Sequence, residues 1–479
     1  MSWIRVLSIL MVSLLGSCLA VNRVLAADLI EVYKQALVSD PKFKAARSEW
    51  LAARESLAVS KAELLPQINA SGSFTRSQVK SELANNPRPR YFNNGVGYLF
   101  ELRQPIFDFG KVTGVWKARA AVYSAQALFM DAEEKLLQRV AQAYLEVLLA
   151  KDILYFAKAN TAANKSLFVQ AKHKYDVGLI AITDLEDARK NYDIAWSEEI
   201  ANENQLSDSF ERLNEITGVR YTDLDSLKSD LPLVSPEPAD IEAWVKSTEK
   251  QNFELVAANY KVIEARENVR LHHAGHLPEV SALAGYSNDY ENNYSGSKNS
   301  TRNQRVVTGL EVKAPIFHAG KISTLAKQAE YIYQQQLAVQ EQTRRSVVSQ
   351  TRQNYLGILS NISKIKADLQ AIKSAQSSLR ATHASYTVGR RTMSDVLDAQ
   401  SKLYSTQKTF AEDEYRYIMQ LLNLRMLTGT LQVSDLELVN GWLKTSTNNQ
   451  RPVTKADKLN KGKSEIAKKI SKSKKVKTK

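Results

Sequence analysis

The chain has 479 residues, one cysteine and a formal net charge of +14 at pH 7. Most of that charge lies near the end of the chain, because residues 451–479 hold twelve Lys or Arg side chains against two acidic ones, while residues 27–450 are nearly neutral. A nearly neutral body argues against nucleic acid as a partner, and a single cysteine excludes an internal disulfide.

The N-terminal residues have the pattern of a secretory signal peptide. Arg5 precedes an apolar run over residues 6–15, and small residues follow at a cleavage site. This predicts a signal peptide over residues 1–26 and a mature chain that begins at Ala27. A second interpretation stays open, since the sequence LGSC resembles a lipoprotein cleavage box that would leave a lipidated Cys18. No later apolar run reaches the roughly 20 residues that a membrane-spanning helix needs.

Four segments alternate apolar and polar side chains with a period of two, which is typical of β-strands. Such alternation over about 10 residues is also the signature of strands that cross a membrane in a barrel. Loops are predicted around Pro87 and Pro89 and over residues 292–300. The apolar positions are Ile68, Ala70, Gly72, Phe74, Val96, Tyr98, Phe100, Leu102, Val280, Ala282, Ala284, Tyr286, Val306, Thr308, Leu310 and Val312. The opposite positions include Asn69, Ser71, Glu101, Ser281, Glu311 and Lys313.

Two long stretches without helix-breaking residues predict two very long helices. Residues 115–177 contain neither Gly nor Pro, and residues 321–388 contain only Gly357. A helix of about 65 residues is about 100 Å long, so it must lie against long neighbouring helices as a coiled coil. Second helices of about 38 residues are predicted after Gly178 and Gly389, and shorter helices before the strands. A heptad seam in the first long helix comprises Leu136, Val140, Ala143, Val147, Ala150, Leu154 and Ala157.

The second half of the chain repeats the first. The segment ELRQPIFDFGKV, which starts at Glu101, corresponds to EVKAPIFHAGKI, which starts at Glu311, at an offset of 210 residues. The segment KYDVGLIAITDLEDAR at Lys174 corresponds to SYTVGRRTMSDVLDAQ at Ser385, at an offset of 211 residues. A nearly constant offset indicates an internal duplication.

The duplication predicts the domain organisation. One structural repeat is expected over residues 27–235 and a second over residues 236–445, each with helices, two strands and a long helical hairpin. The Lys-rich tail over residues 446–479 is expected to be disordered, because it has too few large apolar residues to form a core. The alternative for this tail is an electrostatic tether to anionic envelope polymers.

The predicted strands set the fold class. Four strands are too few to close a barrel, and an open sheet edge is not tolerated in lipid. Three chains would supply twelve strands, enough to leave a lumen, although four strands alone do not exclude a larger ring. We therefore expect an α+β membrane protein, a trimeric 12-stranded β-barrel with four strands per chain, continued by a long α-helical coiled-coil barrel.

The repeated motifs resemble those of a known family. LLPQ, QPIFDFGK and YDVGLIAITDLEDAR in the first half, and LPEV, APIFHAGK and YTVGRRTMSDVLDAQ in the second, are similar to the TolC outer-membrane efflux family over residues 27–438. The resemblance implies a passive export duct of the outer membrane, serving tripartite efflux and type I secretion. It also implies a homotrimer that contacts outer-membrane lipid, a periplasmic adaptor (membrane fusion protein) and an inner-membrane pump of the RND, ABC or MFS type.

The resemblance also implies a gate where the two helical hairpins turn. Its residues are expected to be Tyr386 and Arg391 on one hairpin, facing Asp184 and the neighbouring Thr183 on the other. Such contacts would hold the inner helices coiled inward. The alternative is an ordinary hydrated surface pair.

A selectivity ring and a docking surface follow from the same resemblance. Asp395 and Asp398 are three residues apart and so share a helix face, which in a trimer makes two rings of carboxylates whose mutual repulsion should raise their pKa values. The alternative is that both carboxylates simply lie on a solvated helix surface. The turns at Gly178, Leu179 and Gly389 are expected to bind the adaptor, and both glycines to cap helices.

Other functional classes find less support in the sequence. No catalytic motif of the GxSxG, HExxH or P-loop type is present, so no enzyme activity and no cofactor are predicted. His272, His273 and His276 could place two imidazoles on one helix turn. A metal site would still need a third ligand, so no metal is predicted. The strongest rival is a pore-less periplasmic coiled-coil adaptor, which would have one hairpin and no membrane strands.

Overall fold

The computed structural model describes residues 27–444, except 80, 81, 84, 85, 88–90, 229 and 296. The predicted signal peptide with Cys18, the predicted loop residue Pro89 and the Lys-rich tail lie outside the described residues. Within the described part, no helix is both long enough and apolar enough to cross a lipid bilayer.

The described residues form nine helices and eight strands. The helices are α1 Leu29–Ser39, α2 Pro41–Ala62, α3 Phe109–Asp176, α4 Ile182–Thr217, α5 Ile241–Gln251, α6 Phe253–Ala274, α7 Lys321–Thr387, α8 Met393–Leu427 and α9 Val433–Gly441. The strands are β1 Gln67–Val79, β2 Glu82–Leu83, β3 Asn86–Pro87, β4 Tyr91–Phe107, β5 Ser226–Leu227, β6 Glu279–Ser295, β7 Ser297–Lys313 and β8 Leu443–Lys444.

The order of elements repeats, which confirms the predicted internal duplication. In each half, two shorter helices lead to a pair of long strands, a very long helix and a second helix. The long helices α3 and α7 have 68 and 67 residues, and α4 and α8 that follow them have 36 and 35. The absence of Pro from these stretches lets each helix continue without a break.

The four long strands form one antiparallel sheet in the order β1-β4-β6-β7. Within the described residues, β1 and β7 each pair on one side only, so both edges of the sheet are open. The prediction of a loop over residues 292–300 is wrong, because Asn292 pairs with Ser300 and Asn293 with Asn299 in the ladder between β6 and β7. Polar side chains do not prevent pairing there, since the ladder uses only backbone groups.

The strand register places the predicted apolar positions together on one surface. Ile68 lies opposite Leu102, Leu102 opposite Ala284, and Ala284 opposite Thr308. We call this surface the apolar sheet face; it holds Ile68, Ala70, Gly72, Phe74, Arg76, Phe92, Asn94, Val96, Tyr98, Phe100, Leu102, Val280, Ala282, Ala284, Tyr286, Asn288, Tyr290, Arg302, Gln304, Val306, Thr308, Leu310 and Val312. The alternate residues form the polar sheet face.

The chain forms two compact units. Of the described residues, one unit contains 27–43 with 134–244 and 351–444, and the other contains 44–133 and 245–350. The second unit holds the four-stranded sheet, while the first holds the predicted heptad seam. All seven seam residues are buried, which confirms their predicted role in helix packing.

A buried ion pair ties helices together in the first unit. The Asp40 carboxylate, 2% exposed, accepts two hydrogen bonds from the Arg139 guanidinium, at 2.6 and 3.3 Å, and a third from the backbone N–H of Phe43 at 2.9 Å. Burial by itself raises the pKa of Asp40, but the hydrogen bonds and the charge of Arg139 outweigh burial and hold that pKa below its ordinary value.

Replacing Arg139 by Leu is expected to lower the free energy of unfolding by about 2 to 3 kcal/mol, because Asp40 then stays buried without its counter-ion. Denaturant unfolding of the detergent-solubilised protein, followed by tryptophan fluorescence, measures the change. The double variant Asp40→Asn/Arg139→Leu is the control and should be more stable than Arg139→Leu alone.

Because the pKa of Asp40 is depressed, its contribution to stability is present above the unfolded-state pKa and is lost as pH falls through the folded-state pKa. Asp40→Asn should therefore show a weaker loss of stability on acidification than the wild type. Equal midpoints for the wild type and Arg139→Leu would contradict this role of the pair.

Candidate functional site

The two helical hairpins turn through the same backbone motif. Gly178 follows α3 and Gly389 follows α7, with φ angles of +74° and +76° that favour glycine. In each turn the glycine N–H donates to the carbonyl three residues back, and the next N–H donates to the carbonyl five residues back, at N···O distances of 2.8 to 3.1 Å. This is a Schellman motif, and it confirms the predicted capping role of both glycines.

An apolar cluster lies beside these turns and joins both hairpins. Side chains from α3, α4, α7 and α8 contribute to it, so the ends of the two hairpins are packed against each other rather than separately hydrated. The buried members are Leu167, Ala171, Ala188, Met393, Val396 and Leu397, and the partly buried members are Phe168, Ile180, Leu185, Leu379 and Tyr386. Each fully buried Leu or Val contributes about 1.5 to 3 kcal/mol.

Tyr386 is the predicted gate residue that this cluster holds. Its ring packs against the cluster, and the Lys174 ammonium lies 4.1 Å from the ring centre in a cation–π contact. The Tyr386 hydroxyl is covered and has no hydrogen-bond partner among the described residues. A buried hydroxyl without a partner costs about 1 to 3 kcal/mol, so a hydrogen-bond acceptor or donor that reaches it would stabilise this end of the hairpin.

Arg391 and Asp395 are brought together at the start of α8. The Arg391 Nη1 atom lies 3.3 Å from Asp395 Oδ1, both side chains being solvent-accessible. Within the described chain Arg391 therefore pairs with Asp395. The sequence analysis had expected Asp184 as its partner. The two residues are four apart at the start of a helix, and this spacing brings their side chains close enough to pair.

Asp395 also takes part in a capping box with Thr392. Its Oδ2 accepts hydrogen bonds from the Thr392 N–H and hydroxyl, both at 2.9 Å, and the Thr392 Oγ1 accepts from the Asp395 N–H at 3.2 Å. These bonds from Thr392, followed by the charge and hydrogen bond of Arg391, hold the pKa of Asp395 below its ordinary value. The rise expected from repulsion between carboxylate rings concerns a trimer and stays a prediction.

Asp184 occupies the corresponding position at the start of α4, but in a different setting. The N-cap there is Ala181, which provides no side-chain hydrogen bond. Asp184 is half-buried in the first turn of α4, and the structure describes no hydrogen bond or ion pair for it or for the exposed Thr183. Its carboxylate is therefore available to a cation outside the described contacts.

Asp398 lies one turn beyond Asp395 on α8 and is exposed. Asp187, at the equivalent place on α4, is paired with Lys190 at 2.9 Å. The second half of the chain thus presents a free carboxylate where the first half presents a neutralised one. This difference lies in the i+3 residue, which is Lys190 after Asp187 and Ser401 after Asp398.

Thr392 and Lys174 were not predicted from the sequence. The T-x-x-D pattern from Thr392 to Asp395 is a recognised capping signal and could have identified the first of them. The contact between Lys174 and Tyr386 depends on the packing of α3 beside α7, for which the sequence gives no local signal.

The model of the family described as outer membrane efflux protein matches residues 32–219 and 244–430. The outer membrane protein TolC of Vibrio cholerae is 35% identical over 429 residues, which cover 89% of this chain and 96% of that protein. The proteases secretion protein PrtF of Dickeya chrysanthemi is 27% identical over 431 residues, 88% of this chain and 92% of that protein. The solved structure of the outer membrane protein VceC from Vibrio cholerae has a TM-score of 0.71 at 19% identity, over 84% of this chain and 96% of that chain. The last likeness concerns the fold alone.

Thr392→Ala should loosen the start of α8 by about 1 kcal/mol, because it removes the N-cap hydroxyl. Amide hydrogen exchange at Asp395 should become about fivefold faster, and the pKa of Asp395 should move part of the way back towards its ordinary value, because the hydrogen bond from the Thr392 hydroxyl is lost while that from the backbone N–H remains. Ser394→Ala, at an exposed hydroxyl of the same helix turn for which the structure describes no hydrogen bond, is the matched control and should leave exchange at Asp395 unchanged. Unchanged exchange in Thr392→Ala would show that the box does not hold the helix end.

Proposed function

Since this chain belongs to the outer membrane efflux protein family, we propose that it forms a passive export duct that serves efflux and type I secretion and opens at its periplasmic tip. The protein resides in the outer membrane and extends into the periplasm. The family match over both halves of the chain carries this conclusion. The name of one relative, a proteases secretion protein, supports protein cargo in addition to efflux.

The open edges of the sheet support a homotrimer. Backbone N–H and C=O groups along β1 and β7 need partners in lipid, and another copy of the chain supplies both. Three copies give twelve strands, with the apolar sheet face towards lipid and the polar sheet face towards an aqueous lumen. The long helices then continue the duct into the periplasm.

The turns of the hairpins form the gate in this proposal. The half-buried Asp184 carboxylate has no described partner, and Arg391 is exposed and held only by the solvent-accessible Asp395. In the closed trimer Arg391 of one chain binds Asp184 and Thr183, and Tyr386 gains a partner for its hydroxyl. Exposed ion pairs contribute roughly 0.2 to 1 kcal/mol each, so three sets amount to a few kcal/mol. That is less than the ~5.5 kcal/mol that shifts an equilibrium from 1:99 to 99:1, so a docking partner can override the latch.

The same tip supplies ion selectivity and a docking surface. Asp395 and Asp398 project from one face of α8, and three copies place two rings of carboxylates in the path, which favours cations. Leu179 is 72% exposed and Val388 is 68% exposed at the two turns. Exposed apolar side chains on rigid turns favour contact with a periplasmic adaptor, through which an inner-membrane pump of the RND, ABC or MFS type selects the cargo.

Arg391→Ser should increase the single-channel conductance of the purified protein in planar bilayers severalfold, because it removes the latch cation from each chain. Arg390→Ser is the matched control, since it deletes the adjacent exposed arginine and should leave conductance at the wild-type value. The latch is refuted if Arg391→Ser conducts like the wild type, while a folded trimer without any conductance would refute the duct itself.

Asp395→Asn/Asp398→Asn should reduce the preference for cations over anions, because both proposed carboxylate rings are neutralised. Reversal potentials measured in a salt gradient report this preference. Asp187→Asn/Asp193→Asn removes two carboxylates from α4 that are paired with Lys190 and Arg189, and it should change selectivity much less. Equal selectivity in the wild type and the α8 variant would exclude these residues as the ring.

A further inference from the structure

The two faces of the four-stranded sheet differ in how they carry charge. On the apolar sheet face, among the described side chains, Arg76 and Arg302 are the only charged groups, and no acidic side chain accompanies them. The polar sheet face mixes both signs, with Glu101, Arg103, Glu279, Asp289, Glu291, Arg305, Glu311 and Lys313. A surface whose only charges are positive is complementary to an anion.

Both arginines lie at the same end of the sheet. Arg302 pairs with Tyr290, Tyr290 with Val96, and Val96 with Phe74 on β1. Arg76 lies two residues beyond Phe74 on the same strand. That offset is about 7 Å at 3.4 Å per residue. This is the end where the strands turn back in hairpins, whereas their other ends lead into the helices.

Neighbouring side chains orient each guanidinium. Arg302 Nε donates to Asn288 Oδ1 at 3.3 Å, and Asn288, 4% exposed, in turn donates from Nδ2 to Tyr98 Oη at 2.9 Å. The Cζ atom of Arg76 lies 4.9 Å from the centre of the Phe92 ring. Both arginines remain exposed, so most of their five N–H donors are left for a ligand.

The level of these arginines on the sheet fits a lipid headgroup. Below them, towards the helices, the apolar sheet face is lined by aliphatic and aromatic side chains such as Val306, Leu310 and Val312, which are 65 to 73% exposed. Around them lie Phe74, Tyr98 and Tyr290, an aromatic belt of the kind found where a membrane meets water. A guanidinium at this boundary meets the phosphate groups of lipid and can bind their oxygens in a bidentate manner.

Closure of the ring would place the two arginines on the two strands that form one seam. Arg76 is on edge strand β1 and Arg302 is on edge strand β7, at opposite edges of one chain's sheet. When β7 of one chain pairs with β1 of the next, the two strands are about 4.8 Å apart and present the same face. The two guanidinium groups then flank the seam between chains, each from a different subunit.

We propose that Arg302 of one chain and Arg76 of the next bind the phosphate group of a phosphorylated glycolipid, of the lipid A class, in the outer leaflet of the outer membrane. This inference rests on the proposed trimeric duct, because it needs the seam and the outward orientation of the hairpin ends. The helices extend into the periplasm, so the hairpin ends face the outer leaflet, where the anionic lipid is a glycolipid with phosphate on a disaccharide. One such site occurs at each seam of the ring.

The test is native mass spectrometry of the full-length purified trimer with bisphosphorylated lipid A as the probe. Arg76→Gln/Arg302→Gln should weaken lipid A binding about tenfold, since charge-assisted hydrogen bonds to phosphate are lost. The matched control is Arg305→Gln/Lys313→Gln, which removes two positive charges from the polar sheet face of β7 and should bind lipid A like the wild type. Dephosphorylated lipid A should bind the wild type no better than it binds the Arg76→Gln/Arg302→Gln variant.

Four results would overturn the proposal. These are wild-type binding by Arg76→Gln/Arg302→Gln, an equal loss in the control variant, and displacement of lipid A by inorganic phosphate or equal binding of phosphatidylglycerol. Single-channel conductance of the same preparations separates this inference from the duct. Conducting trimers that bind lipid A independently of the two arginines would refute the site and leave the duct intact, whereas non-conducting trimers would refute the duct.

Discussion

Backbone hydrogen bonding at the edges of the sheet is the constraint on which the proposed assembly depends. Each strand edge presents a row of N–H and C=O groups that water can satisfy and lipid cannot. A chain with four strands and two open edges is therefore incomplete in a membrane, whatever its side chains. The proposed homotrimer meets this requirement, and three chains are the smallest number that gives more strands than the eight or so whose side chains fill a barrel.

The overall fold could be predicted because its signals are long and repeated. Two stretches without Pro, a seven-residue seam and four runs of period-two alternation each point to one structure, and the second half of the chain repeats the evidence of the first. The loop expected over residues 292–300 fails for a physical reason. The composition of this segment indicates whether its side chains favour burial. The ladder between β6 and β7, in contrast, needs only backbone groups.

The candidate site was less predictable, because its residues act through neighbours that the repeat does not conserve. Asp184 and Asp395 occupy equivalent positions, yet one follows Ala181 and the other Thr392, so only Asp395 is held in a capping box. The pair of Arg391 with Asp395 in one chain was also missed, since it depends on a carboxylate four residues away at the start of the same helix. Such choices depend on three-residue spacings within one helix end and on packing between helices.

The two Schellman turns separate the shape of the tip from its chemistry. Glycine supplies the left-handed backbone at Gly178 and Gly389, and the following residues, Leu179 and Arg390, contribute only their backbone N–H groups to the turns, so their side chains are not needed for the turn. Substitutions at such exposed positions usually change stability by less than about 0.5 kcal/mol. In the proposed duct, the tip can therefore change in sequence and bind a different periplasmic partner after few mutations. The part proposed to meet other proteins is the part whose side chains folding constrains least.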